Sequence, residues 1–470
     1  MLHGRKHGSR RGWLPSVVVV WSLVVVGFAL PAAATPGATL WTKRYNGPAN
    51  GSDSAAAVAV SPDGSKVFVT GGSAGLTTGY GTVAYNATTG AVLWTKRYDG
   101  VDNNGGVATA IAVSADGGKV FVTGTSTGPT TSVDYATVAY NATTGAVLWT
   151  KRYDGPAHNY DAASALALSP DGSKVFVTGT SAAATTGQDY ATVAYNATTG
   201  ALLWTKRYNG PTNGWDGPNA IAVGHAGMLF VTGGSPSATT SDDFTTIAYN
   251  TTTGARLWIK RYNVPGGNDA VARAVGVSPD STKVFVTGQS VVSATENYST
   301  VAYNAKTGAV SWAKQYAGPT NFDFATALAV GPGGGKIFVT GTSAGSTSGE
   351  DYATVAYSAT TGAVYWTKRF TTTGNNGDFA KAAGISPDGT KVFVAGTSAG
   401  ATSKDDYATV AYSATSGAVL WTKRYGGAAN GDDEAAALSV APHGNRLFVT
   451  GTSAGATSND DYATVAYATS

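Results

Sequence analysis

Four short apolar runs, parted by polar or glycine-bearing turns, recur along this chain at intervals of about 54 residues. In one period, 162–168 (AASALAL) is apolar, and Ser-Pro-Asp-Gly-Ser follows at 169–173. Asp-Gly is a tight-hairpin pair. KVFVT at 174–178 and DYATVAY at 189–195 have the β-branched and aromatic content of strands. A turn at 196–200 leads into a fourth strand, 201–208, which carries a tryptophan. The pattern predicts four antiparallel strands per period and no helix. Tryptophans 41, 94, 149, 204, 258, 312, 366 and 421 count eight copies, at steps of 53 to 55 residues.

A sheet that is apolar on both faces cannot bury both alone. Eight such sheets packed face to face in a ring bury them all, which predicts an all-β, eight-bladed β-propeller. The first run of each period should line the hub. Its middle residue is always small: Ala59, Ala112, Ala167, Ala222, Gly276, Ala329, Gly384 and Ser439. Sheets converge toward an axis, where a larger side chain would clash. The chain opens with a fourth-type strand, 39–45, and stops after a third-type strand, 461–467. The opening strand is therefore expected to complete the eighth sheet and leave no bare edge.

Ahead of the repeats, residues 1–34 read as a signal peptide. Arg5, Lys6, Arg10 and Arg11 precede an apolar run at 13–30, and Ala32 and Ala34 fit a small-x-small cleavage site. Ser9-Arg10-Arg11-Gly12-Trp13-Leu14 also resembles a twin-arginine signal, so general and twin-arginine export both stay open. An uncleaved membrane anchor is the alternative. Without the leader, the 31 bases become 27 against 28 acids, a balance that does not suit nucleic acid. The remainder, 35–470, reads as one propeller domain with no membrane contact after cleavage. There is no cysteine, so closure cannot use a disulfide.

Residues 139–149, AYNATTGAVLW, resemble the tryptophan-docking motif Ala-x-Asp-x-x-Thr-Gly-x-x-x-Trp of pyrroloquinoline-quinone-like propellers, with Asn141 in place of Asp. Residues 161–179 are similar to bacterial β-propeller repeats of the SBBP type. The resemblance implies a tryptophan docked between adjacent blades, a packing role. Quinone enzymes of that kind use an adjacent-cysteine disulfide and a calcium site of acids and amides. This chain lacks cysteine and places its acids in repeated, equivalent positions, so no cofactor and no metal are expected.

Two sets of aspartates recur. Asp53, Asp161, Asp216, Asp323, Asp378 and Asp433 precede the first strand, and Asp134, Asp189, Asp243, Asp351, Asp406 and Asp461 precede the third. Carboxylate rings suit a hard cation. Repetition in nearly every blade favours capping of backbone N–H groups, or pairing with the arginine of a Trp-Thr-Lys-Arg-Tyr segment. Asn-Ala-Thr at Asn86, Asn141 and Asn196 fits a glycosylation sequon but sits in a tight turn that favours asparagine. The three histidines after the leader, His158, His225 and His443, fall in different loops, and no catalytic motif is present.

Departures from the internal consensus are the better pointers to function. In the loops from fourth to first strand, Tyr160, Trp215 and Phe322 stand just before the Asp, and His158 is nearby. Exposed aromatics offer flat platforms for a sugar ring or a partner's side chain. The bland reading is that each covers the end of its own blade. The sequence thus predicts an exported, non-catalytic module that binds a protein or carbohydrate through His158, Tyr160, Trp215 and Phe322. A propeller lyase or hydrolase with a channel-mouth site, and a scaffold for envelope protein assembly, are the alternatives.

Overall fold

The computed structural model describes residues 34–470 apart from 129–132, 186, 240, 321, 373–376, 401–403, 428, 430 and 456–458. The leader read at 1–34 lies outside the described residues except for Ala34. Among the described residues no helix is long and apolar enough to cross a membrane.

Eight four-stranded antiparallel sheets form the ring, each pairing its strands in chain order. The third blade comprises Asp161–Leu168, Lys174–Ala182, Gln188–Asn196 and Leu202–Tyr208, from hub to rim. Its hairpins are built as their sequences dictate. Asp171 accepts hydrogen bonds from the Ser169 hydroxyl (2.5 Å) and the Ser173 N–H (3.0 Å). Asn196 accepts from the N–H groups of Thr198 and Thr199, both at 2.9 Å, so the sequon asparagine holds the turn.

The cores lie between blades. One cluster joins Phe68, Tyr80, Ala84 and Trp94 of the first blade to Val120, Val122, Val138 and Tyr140 of the second. Every rim tryptophan sits in such a seam with only 7–8% exposed, so its surroundings repeat around the ring. Trp94 packs on Phe68 of its own blade and Tyr140 of the next, at centroid distances of 5.8 and 5.9 Å. Its indole N–H donates to the Ala142 carbonyl of the next blade at 3.2 Å. The turn glycine Gly145, at φ +68, lies against that indole. A Cβ there would come within 2.7 Å of the ring, so both conformation and space require glycine. A second set of ties comes from the third strands, where the buried Tyr80 and Tyr135 hydroxyls donate to Ala136 and Ala191 of the following blades at 3.2 and 3.3 Å.

The hub residues are small for the expected reason. A Cβ on Gly276 would meet Leu328 of the next blade at 2.6 Å, and one on Gly384 would meet Leu438 at 2.6 Å.

The ring closes as the strand order predicts. Thr39–Tyr45 pairs antiparallel with Asp460–Ala468, from Thr39 opposite Tyr467 to Tyr45 opposite Tyr462. Arg44 pairs with Asp461 at 2.9 Å. One turn is missing at this seam because both chain ends meet there. Gly37, at φ +75, takes the place of the turn glycine against Trp421, and its N–H donates to the Ala468 carbonyl at 2.7 Å. The carbonyl of the missing turn is not replaced. Seven of the eight rim tryptophans donate to the next blade, and the Trp421 N–H has no partner.

Candidate functional site

Loops from the rim strand to the next hub strand, together with those between second and third strands, form one face of the ring. Both aspartate sets lie there. The first set is buried, and each carboxylate accepts a backbone N–H from the loop that precedes it. Gly155 donates to Asp161, Gly210 to Asp216 and Gly318 to Asp323, each at 2.7 Å. Burial pushes the carboxyls of Asp161, Asp216, Asp323, Asp378 and Asp433 above their ordinary range. The second set pairs with rim arginines of the same sheet. Arg207 meets Asp189 at 2.9 Å and Arg261 meets Asp243 at 3.1 Å, while Arg152 pairs with Asp134. Two blades depart from this. In the first, Gly79 stands at the Asp position and Arg97 turns to Asp99 at 2.5 Å. In the fifth, both partners are neutral, Asn297 and Gln315.

Asp134, Asp154 and Asp161 bring carboxylate oxygens within 4.8 Å of one another. Each is already engaged: Asp134 by Arg152, Asp154 by His158 at 2.8 Å, and Asp161 by the Gly155 N–H. Fixed protein donors thus occupy the role a cation would take. The Asp154 contact raises the His158 imidazole above its ordinary value.

The four sequence-predicted residues lie on this face, each at its own blade boundary. Tyr160 is 42% exposed and bridges to Val133 of the second blade. Trp215 is 51% exposed, its ring lies over Gly217, and its N–H donates to the Gln188 side chain of the third blade at 2.6 Å. Phe322 is 41% exposed, bridges to Glu296 of the fifth blade and meets Phe324 edge-on at 5.3 Å. His158 is exposed, at φ +48, on the loop that carries Tyr160. Tyr160 and Trp215 mark consecutive boundaries, whereas Phe322 lies two further round.

Phe322 opens onto a group that the sequence pattern does not reveal. Each hub strand carries a bulge, which re-aims one side chain. In the third blade the shift falls between Ala163 and Ala165, at Ser164. Its equivalents around the ring are Ala56, Thr109, Asn219, Arg273, Thr326, Lys381 and Ala436. Thr109, Asn219 and Thr326 donate to carbonyls of the following hub strand, at 3.0, 2.8 and 2.8 Å. Arg273 and Lys381 are exposed instead, and among the described residues neither has a carboxylate partner. A depression of about 480 Å³ is lined by Asn219, Arg273, Gln289, Glu296, Phe322, Phe324 and Thr326. The signal was there in principle, as two cations among small residues at one repeat position. A bulge breaks the two-residue alternation, so the strand pattern does not show that this position faces the axis.

The quinone site implied by the family resemblance does not fit this donor set. The mouth presents an unpaired guanidinium beside a single carboxylate, Glu296, and the chain has no cysteine.

Residues 30–192 and again 189–354, more than half of the chain, match the family model described as outer membrane protein assembly factor BamB. No curated protein matches. Among solved structures, Sqt1 of Chaetomium thermophilum bound to the N-terminus of the ribosomal protein L10 is 12% identical. That match covers 90% of this chain and 98% of Sqt1, with a TM-score of 0.59. Quinohemoprotein alcohol dehydrogenase ADHIIG from Pseudomonas putida HK5 is 14% identical, over 92% of this chain and 76% of its own, with a TM-score of 0.56. The quinohemoprotein alcohol dehydrogenase of Comamonas testosteroni is 14% identical, over 91% and 76%, with a TM-score of 0.55. At these identities the likeness is one of fold.

Proposed function

The chain belongs to the outer membrane protein assembly factor BamB family of PQQ-like β-propellers, and on that premise we propose that it is an exported, non-catalytic module that holds a ligand or partner at the cell envelope. The observation that carries this reading is the contrast among its aromatics. Those of the repeat are buried in the blade seams, whereas Tyr160, Trp215 and Phe322 stand 41–51% exposed on one face. Side chains of that size, held at blade boundaries by a rigid ring, make anchors for a partner surface. The leader at 1–34 supports export. Sqt1, a propeller of similar fold, holds a peptide segment, which supports a holding role for the architecture.

The enzyme alternative draws less support. The recurring carboxylates are committed to loop N–H groups or rim arginines, and His158, His225 and His443 lie in separate loops.

A Tyr160→Ala, Trp215→Ala double variant tests the reading. It should melt close to the parent yet lose partners captured by the parent from envelope extract, or glycans bound on an array. A folded double variant that retains every interaction of the parent would assign both aromatics to blade-end cover. Detection of turnover by the purified parent would move the protein to the enzyme alternative.

A further inference from the structure

The hub bulges separate what the fold needs from what it does not. A residue required for packing repeats from blade to blade, as the rim tryptophan does. The bulge position instead reads Ala, Thr, Ser, Asn, Arg, Thr, Lys and Ala in blade order. Its two cations lie on one side of the ring, in the fifth and seventh blades. The second residue of the hub strand varies in step. It is Phe324 in the sixth blade and Phe379 in the seventh, against Ser54 and Glu434 across the ring. The mouth is therefore cationic and aromatic over an arc of three blades.

Arg273 differs in kind from the rim arginines. Arg44, Arg152, Arg207, Arg261, Arg369 and Arg424 are each matched to an aspartate of their own sheet. Arg273 is exposed at the mouth, and its hydrogen bond is to the Gln289 side chain at 3.4 Å, a long contact to a neutral group. A guanidinium placed so is free to take an anion through two parallel N–H donors. Beside it stand the Phe322–Phe324 pair and three side chains with carbonyl, amide or carboxylate groups: Asn219, Gln289 and Glu296. The depression of about 480 Å³ is of small-ligand size.

We propose that this mouth binds an acidic saccharide, with Arg273 on a uronate carboxylate and Phe322 and Phe324 against the sugar ring. The proposal rests on the ligand-holding function above and names its chemical class. An aromatic face takes the apolar side of a ring. Amides and a carboxylate can donate to and accept from hydroxyl groups that surround such a ring. An extended peptide fits less well. Main-chain pairing with these hub strands would need their carbonyls, and Asn219 and Thr326 already occupy those of Ala272 and Ala380. Lys381, two blades on from Arg273, would meet a second acidic residue of the same chain.

The test is calorimetric titration of the purified protein with tetragalacturonate, with cellotetraose as the neutral control and tetraglutamate as the acidic peptide. Tetragalacturonate should bind, weaken as salt rises, and lose about tenfold or more in affinity on Arg273→Ala. Lys381→Ala should lose less, and both variants should melt with the parent. Cellotetraose should bind poorly. The proposal is overturned if tetragalacturonate does not bind, if Arg273→Ala binds it as the parent does, or if tetraglutamate binds as tightly. The broader function fails separately. A Tyr160→Ala, Trp215→Ala variant that keeps every envelope partner counts against that function while leaving uronate binding at Arg273 intact.

Discussion

Every blade carries two bulges, and they have opposite histories. The outer one precedes the rim tryptophan and holds Leu40, Leu93, Leu148, Leu203, Leu257, Ser311, Tyr365 and Leu420. Seven of these are large and apolar, so one residue type serves nearly the whole circumference. The inner one holds two alanines, two threonines and single Ser, Asn, Arg and Lys residues. The outer bulge does the same task everywhere, since it bends an edge strand away from pairing with another sheet and seats the tryptophan behind it. The inner bulge faces the axis, where no neighbour constrains it. Uniformity marks the architecture of this molecule and variation marks the region free to acquire a function.

Deleting residues 39–45 should break the architectural side most severely. It removes Trp41, the Arg44–Asp461 pair and the rim strand of the eighth blade. Loss of a large buried aromatic alone costs about 3–5 kcal/mol. The variant should melt far below the parent or aggregate through the bared edge, as read by thermal scanning and size-exclusion chromatography. Parental melting would mean that the ring does not depend on its closing strand.

Single tryptophan losses sharpen the same contrast. Trp149→Ala, Trp204→Ala and Trp366→Ala should each cost about 3–5 kcal/mol in denaturant unfolding, within about 1 kcal/mol of one another. Trp421 should respond differently to Trp→Phe. Its N–H has no acceptor, so it should lose about 1 kcal/mol less than Trp366, which donates to Ala414. By contrast, Arg273→Thr and Lys381→Thr should change stability by no more than about 0.5 kcal/mol. Equal sensitivity at both bulge rings would erase the distinction.

That contrast also explains what could be read in advance. The blade count, the strand order and the closing strand follow from tryptophan spacing and from Asp-Gly and Thr-Gly turns, because those signals are local and repeated eight times. The small hub residue, Ala59 and its equivalents, was legible because crowding at an axis is a geometric certainty. Gly37 was not, because it imitates a turn whose two halves lie at opposite ends of the chain. The mouth was half legible. Phe322 stands out within a polar loop, whereas Arg273 sits in an apolar strand and reaches the mouth only through a register shift.

The fifth blade offers a smaller test of the repeat. Its Asn297 and Gln315 replace the Asp and Arg paired in six other blades. Asn297→Asp or Gln315→Arg alone leaves a half-buried charge and should destabilise. The double variant should recover, with a coupling of about 0.5–3 kcal/mol in a double-mutant cycle. No coupling would mean that the fifth blade has moved too far from its siblings to accept their pair.

The smallest effect concerns Asp242, which ends the loop into the third strand of the fourth blade and has no aspartate equivalent in the second or third. Burial, then the charges of Asp269 and Asp216, push its carboxyl up to about 6, with Arg261 opposing. An acid with a raised folded-state value binds its proton more tightly folded than unfolded. Its ionisation therefore destabilises the protein fully above pH ~6, and that penalty fades as pH falls toward the unfolded value of ~3.9. Asp171 and Asp388 behave in the opposite sense. Hydrogen bonds from Ser169 and Ser386 hold them at about 2, so their contribution is lost as pH falls from ~4 toward 2. Asp242→Asn isolates the first effect, because the turn aspartates are common to both proteins. The gap from ~3.9 to ~6 is worth at most ~3 kcal/mol, and screening of a half-exposed group reduces it to ~1 kcal/mol. The variant should exceed the parent by that amount at pH 7.5 and match it at pH 4, measured by denaturant unfolding. A gain that persists unchanged at pH 4 would have to come from packing, and Asp242 would then join the architecture rather than the variable mouth.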